Sequence, residues 1–134
     1  MRLVGLAVAA LALVSPAAAA TPVKAKLTTT TPTPVVDQPW RYTVTIKSGA
    51  GAPLRARTRL QLLLGETVVA CWQDGEMKQF LPQSVCAWIA FKGKRTGILR
   101  FPAESVGVRL TFQAVVKSQG QTRRLRAPVT VRTA

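Results

Sequence analysis

Histidine is absent from all 134 residues, and acidic side chains are scarce, five against nineteen Lys and Arg. Without an imidazole the chain cannot assemble Ser-His-Asp or Cys-His nucleophilic catalysis. Zinc and copper sites of the usual imidazole-rich kind are excluded with it, and no cofactor is expected. The five carboxylates are Asp37, Glu66, Asp74, Glu76 and Glu104. Only Asp74 and Glu76 are near neighbours, on either side of Gly75, and a paired-carboxylate hydrolase or a calcium loop asks for more oxygen ligands than this. They read as a solvated turn. Helix signals are missing throughout, and the two cysteines, Cys71 and Cys86, have neither the spacing nor the neighbouring charge of a redox dithiol. The chain reads as non-enzymatic.

What is present begins with a leader. Arg2 supplies a positive n-region, Leu3 to Val14 is an apolar run too short for a stable membrane anchor, and Ser15-Pro16 breaks it before Ala18 and Ala20. Residues 1–20 are expected to be a signal peptide cleaved before Thr21, with no transmembrane segment after removal and a secreted, periplasmic or cell-envelope location. The remaining residues 21–134 are long enough for one domain with its own core. Arg2 leaves with the leader, so the mature chain carries 18 basic and 5 acidic side chains, a net +13. Such a molecule prefers anionic partners or surfaces. In an oxidising compartment Cys71 and Cys86 are expected to join and close a loop of about 15 residues. On the chain-entropy model that closure is worth on the order of 3 kcal/mol.

Hydropathy alternates with a period of two through most of the mature region, the pattern of strands with one wet and one buried face. An edge strand is expected from Val23 to Thr30, ahead of the Thr/Pro-rich stretch ending at Pro34. Trp40, Tyr42, Val44 and Ile46 alternate with Arg41, Thr43, Thr45 and Lys47; Arg55, Arg57, Arg59 and Gln61 alternate with Ala56, Thr58, Leu60 and Leu62. Gly65-Glu66 suits a two-residue hairpin into Thr67 to Trp72. Residues 73–84 lack a period and read as a loop tied at its base by the cysteines. Strands are then expected over Val85 to Phe91 and Thr96 to Phe101. The last third has Val108, Leu110, Phe112, Ala114 and Val116 on one side, a turn at Ser118 to Gln121, and Leu125, Ala127, Val129 and Val131 inside a final strand. Seven or eight short strands in about a hundred residues make the economical fold an all-β antiparallel β-sandwich with one disulfide, with an up-and-down barrel as its rival.

The stretch Gly107-Val108-Arg109-Leu110-Thr111-Phe112-Gln113-Ala114-Val115-Val116, the hairpin after it and the closing Val129-Thr130-Val131 resemble the last two strands of bacterial secreted immunoglobulin-like or fibronectin-type domains. The resemblance implies an immunoglobulin-like sandwich with an adhesion, binding or modular role. The cysteines depart from it, because a 15-residue separation links neighbouring segments and cannot bridge the two sheets.

Basic residues form the one candidate constellation. In immunoglobulin order the strands starting near Arg55, Val108 and Thr122 are neighbours, which places Arg55, Arg57, Arg59, Arg109, Lys117, Arg124, Arg126 and Arg132 on one solvent face. An Arg-rich face suits bidentate capture of phosphate or carboxylate. Read functionally, its partner is an extracellular polyanion: an anionic cell-envelope polymer such as a cell-wall phosphate polymer, anionic lipid headgroups, or shed nucleic acid. Read otherwise, it is a solvated sheet face that is polar and charged without a ligand. Sequence-specific nucleic-acid recognition is disfavoured, because few aromatics interleave with the cations. Trp40, Trp72, Trp88, Tyr42 and the four Phe are assigned mainly to core packing. Two other readings stand beside this one. The tethered loop 73–84 presents Met77, Lys78, Gln79 and Phe80 to another protein, as secreted protease inhibitors do, or the domain is a structural part of the envelope with no discrete ligand.

Overall fold

The structure, a computed structural model, describes residues 22–73, 76–79 and 86–134. The expected leader at 1–20, its cleavage point before Thr21, Asp74 and Phe80 lie outside them. Among the described residues nine strands are formed: β1 (Val23–Thr29), β2 (Trp40–Ser48), β3 (Arg55–Leu64), β4 (Thr67–Gln73), β5 (Glu76–Gln79), β6 (Ile89–Lys92), β7 (Lys94–Leu99), β8 (Arg109–Ser118) and β9 (Gln121–Thr130). They make two antiparallel sheets, a small one in the order β1-β2-β7 and a larger one in the order β5-β4-β3-β8-β9, with β6 also paired to β3. The adjacency β3-β8-β9 is the one expected from immunoglobulin strand order.

Three expectations are corrected. Residues 73–84 are not loop throughout, since Glu76–Gln79 add a strand antiparallel to β4, with Cys71 opposite Lys78. The strand expected from Val85 begins only at Ile89, and the one expected over Thr96 to Phe101 is Lys94–Leu99. The early start of β7 comes from Gly93, whose φ of 72° lets the chain turn between sheets within one residue, directly after β6. A Cβ at 93 would also lie 2.8 Å from that of Pro53.

Trp40, Tyr42, Val44 and Ile46 of β2 face Leu60, Phe112, Ala114 and Val116 of the larger sheet across the core. Trp40 packs edge-on against Phe101 and Phe112, with ring centroids 5.3 Å away in both cases. Its indole Nε1 donates to the Thr31 carbonyl at 2.6 Å, so the largest core side chain is satisfied at its polar end. Tyr42 lies over Gly97, its partner in the β2–β7 register.

The two sheets are joined at both open sides of the sandwich, by the chain itself on one and by backbone hydrogen bonds on the other. On one side β6, paired to β3, continues through Gly93 into β7, paired to β2. On the other, the Thr/Pro-rich segment leaves β1 and runs beside the end of β9, where Thr130 and Arg132 donate to the carbonyls of Pro32 and Pro34. Pro128 is exposed on β9, an edge strand, where its missing N–H costs no ladder bond on the open side.

Strand β3 is ten residues long, and its side away from β8 is shared: β6 pairs with Arg55 to Thr58 and β4 with Gln61 to Leu64. The Cys71–Cys86 disulfide, with Cα atoms 5.6 Å apart, joins the two segments where they meet. Ala87 N–H donates to Trp72 carbonyl beside it.

Candidate functional site

Residues directly opposite each other in an antiparallel pair project to the same side, so the registers define the outer face of the larger sheet as successive rows. One row is Cys71, Gln61, Gln113 and Arg126; the next is Arg59, Val115 and Arg124; then come Ala90, Arg57, Lys117 and Thr122, and finally Lys92 and Arg55. Rows lie roughly 7 Å apart along the strands and about 4.8 Å separates neighbours across them. Arg55, Arg57, Arg59, Lys117 and Arg124 are therefore brought together, joined by Lys92.

The other three expected members separate from this group. Arg109 shares the face but pairs with Thr130, eight residues from Lys117, or roughly 26 Å along β8. Arg132 lies past the end of β9, where its Nε donates to the Thr33 carbonyl. Arg126 is occupied: its Nη atoms make a bidentate pair with Glu66 at 3.1 and 3.0 Å, and its Nε donates to Gln113 Oε1 at 2.7 Å. The hydrogen bonds from Arg126, and then its charge, hold the Glu66 carboxyl below its ordinary value.

The centre of this face is not wet, contrary to the simple alternation. Gln61 and Gln113 are each only 2% exposed, and Gln113 Nε2 donates to Gln61 Oε1 at 2.8 Å. Leu63, Cys71, Cys86 and Val115 are buried without belonging to the main core. The face thus has its own small apolar centre around the disulfide, with polar pairing inside it, and cations to one side.

Core packing, expected for most of the aromatics, does not extend to Trp88. In β6 it is Ile89 and Phe91 that pack toward the core, because Ala90 is registered with outward-facing Arg57. Trp88 consequently lies among the cations, with the Arg59 guanidinium 4.3 Å and the Lys117 ammonium 4.8 Å from its ring centroid. Such contacts attract each cation to the π-face and fix its position. Arg59 Nε is buried with no hydrogen-bond acceptor.

Two shallow clefts cross this region. One of about 620 Å³ is lined by Arg59, Trp88, Lys117 and Arg124, and one of about 810 Å³ by Arg55, Arg57, Lys92 and Lys117. They share Lys117 and Thr122, and neither has a carboxylate in its lining. Among the described residues, Arg126–Glu66 is the ion pair formed on this face. Two like-charged pairs stand directly opposite one another, Arg57 with Lys117 and Arg55 with Lys92. Of the tethered-loop residues, Met77, Lys78 and Gln79 belong to β5.

No family model matches the chain, and no curated protein matches it in sequence. Among solved structures, it is similar to the CARDB domain of the PF1109 protein from Pyrococcus furiosus, solved in complex with di-metal ions. The two share 10% identity and a TM-score of 0.50, over 83% of this chain and 88% of that one. In the present chain, among the described residues, no three His, Cys, Asp or Glu side chains come together as metal ligands. The likeness is one of fold, and with the two stacked antiparallel sheets it makes this chain an immunoglobulin-like β-sandwich.

Proposed function

We propose that the protein is a non-enzymatic, exported binding module whose larger sheet engages a linear anionic polymer of the cell envelope, bearing phosphate or carboxylate groups. The observation that carries this reading is the pair of like-charge juxtapositions, Arg57 with Lys117 and Arg55 with Lys92, in one cleft whose charged lining residues are all basic. Like charges directly opposite on adjacent strands destabilise a sheet. A face evolved only for solubility would intersperse both signs. Protection of a sheet edge does not account for Arg57 and Lys117 either, because both β3 and β8 have strands on each side. An anion lying between the pairs converts the repulsion into binding, and the Arg fork favours bidentate contact with phosphate or carboxylate. Trp88 holds Arg59 and Lys117 in place in advance, which reduces the ordering cost of binding. Export accords with the leader and with a disulfide, which persists in oxidising compartments.

The test is retention of the oxidised protein on immobilised polyphosphate and polyuronate across a salt series. The quadruple variant Arg57→Gln, Arg59→Gln, Lys117→Gln and Arg124→Gln is run beside it. Arg126 is left intact because it serves the Glu66 and Gln113 network. Affinity of the native protein should fall steeply with salt, and the variant should lose both affinity and most of that salt dependence. Equal retention of variant and native protein would overturn the assignment of this face.

A further inference from the structure

The outer face of the small sheet carries a second basic surface with a different make-up. Its registers place Lys24 opposite Lys47, Lys26 opposite Thr45 and Thr45 opposite Lys94, and Thr28, Thr43 and Thr96 in one row, with Arg41 beyond. Lys24, Lys26, Arg41, Lys47 and Lys94 are all exposed, and β1, β2 and β7 contain no Asp or Glu. Threonine hydroxyls lie between them, with Thr43 Oγ1 and Thr96 Oγ1 bonded at 3.2 Å, and the exposed Ile98 stands opposite Arg41 at one end. Lysines on β1 and β7 can be explained as guards of two open sheet edges. Lys47 cannot, because it lies on the central strand β2, directly against Lys24. This is the same uncompensated cross-strand repulsion found on the larger sheet.

We infer that this surface is a second, independent binding site for the same class of anionic polymer, so that one domain bridges two polymer strands. This rests on the proposed function of the larger sheet. The sheets stack about 10 Å apart, and with side chains on both sides the two charged surfaces lie on the order of 20 Å apart, facing in opposite directions. One polymer segment lying flat on the larger sheet leaves the small sheet open to another. The lysines, strongly hydrated point charges on flexible stems, suit looser contact than the arginine-rich cleft, so the second strand is held more weakly and released at lower salt.

A two-step capture tests this with polyphosphate as the probe. Protein is loaded on surface-bound polyphosphate at low salt, excess is washed away, and fluorescent polyphosphate is passed over. The variant Lys24→Gln, Lys26→Gln, Lys47→Gln and Lys94→Gln is compared with the native protein and with the larger-sheet quadruple variant, which removes the same charge. The native protein should hold the second polymer. The small-sheet variant should load on the first polymer within twofold of native, yet hold at least tenfold less of the second. A double variant, Lys24→Gln with Lys47→Gln, should melt no lower than native while reducing second-polymer capture, which separates binding from folding. Native protein that loads but captures no second polymer, or a small-sheet variant that captures as much as native, would overturn the bridging inference alone. Failure of the native protein to load at all would overturn it together with the proposed function.

Discussion

Replacing Gln113 by Met tests whether the polar pairing on the outer face is a unit. Gln113 and Gln61 are both 2% exposed, and their bond is 2.8 Å long. Removing Gln113 alone strands the Gln61 acceptor away from water, which costs about 1–3 kcal/mol. It also removes the acceptor of Arg126 Nε, but Arg126 keeps Glu66 and its side chain is 41% exposed, so water replaces that bond at little cost. Each single replacement, Gln113→Met or Gln61→Met, is therefore expected to cost about 2 kcal/mol. Replacing both removes donor and acceptor together with side chains of similar volume, a change that can approach neutrality. The double variant should therefore cost less than either single, about 1 kcal/mol rather than the additive sum of about 4, a coupling of about 3 kcal/mol. Urea unfolding of the oxidised proteins measures this; with a slope of about 2 kcal/mol/M, each single variant moves the midpoint by about 1 M. A double variant whose loss equals the sum of the singles would refute the idea that these two amides are interdependent.

Three further outcomes are expected. Replacing Cys71 and Cys86 by Ser removes a closure of 15 residues, which should lower stability by about 3 kcal/mol and the melting temperature by roughly 12 °C, read by differential scanning calorimetry. Gly97→Ala directs a methyl group onto the Tyr42 phenol and should cost about 1–3 kcal/mol in the same urea assay, with Tyr42→Leu relieving part of the loss. Glu66 titrates below its ordinary 4.5 because Arg126 bonds and attracts its ionised form, so its support of the fold is complete above about 4.5 and is lost as pH falls through the lowered value. An NMR titration should show that midpoint returning toward 4.5 in Arg126→Gln, and the small contribution of the pair to stability, present at neutral pH in the native protein, should be absent from the variant.

The sandwich was legible because alternation is a local signal: β2 and β8 each spell out which residues face the core, and the Gly65 and Gly120 turns carry the positive φ that tight hairpins require. Parity also places the outward cations of β3, β8 and β9 on one face of the larger sheet. Parity says nothing of position along a strand, which is why Arg109 and Arg132 were grouped with residues at the opposite end. Trp88 was misplaced because a large aromatic was weighted by its apolarity, whereas Ile89 and Phe91 beside it had the better claim to the core. Gln61 and Gln113 read as solvent-facing because their mutual bond links residues 52 apart in sequence. The small-sheet lysines were visible as outward positions, but their opposition across strands exists only once the register is known.

The crossing at Gly93 and the hydrogen bonds of the Thr/Pro-rich segment give the molecule a mechanical character. A sandwich held only by its apolar interior can shear apart by sliding one layer over the other. Here the backbone passes from layer to layer through Gly93, and on the opposite side the segment joining β1 to β2 is hydrogen-bonded to the end of β9. Tension between the layers therefore runs through the β6–β7 connection into the β3–β6 and β2–β7 ladders, and through those hydrogen bonds into β9. Neither layer can detach before a ladder on the other is broken. The two halves should consequently open as one cooperative unit, with amide exchange in β2 and β3 slowing to the same limit.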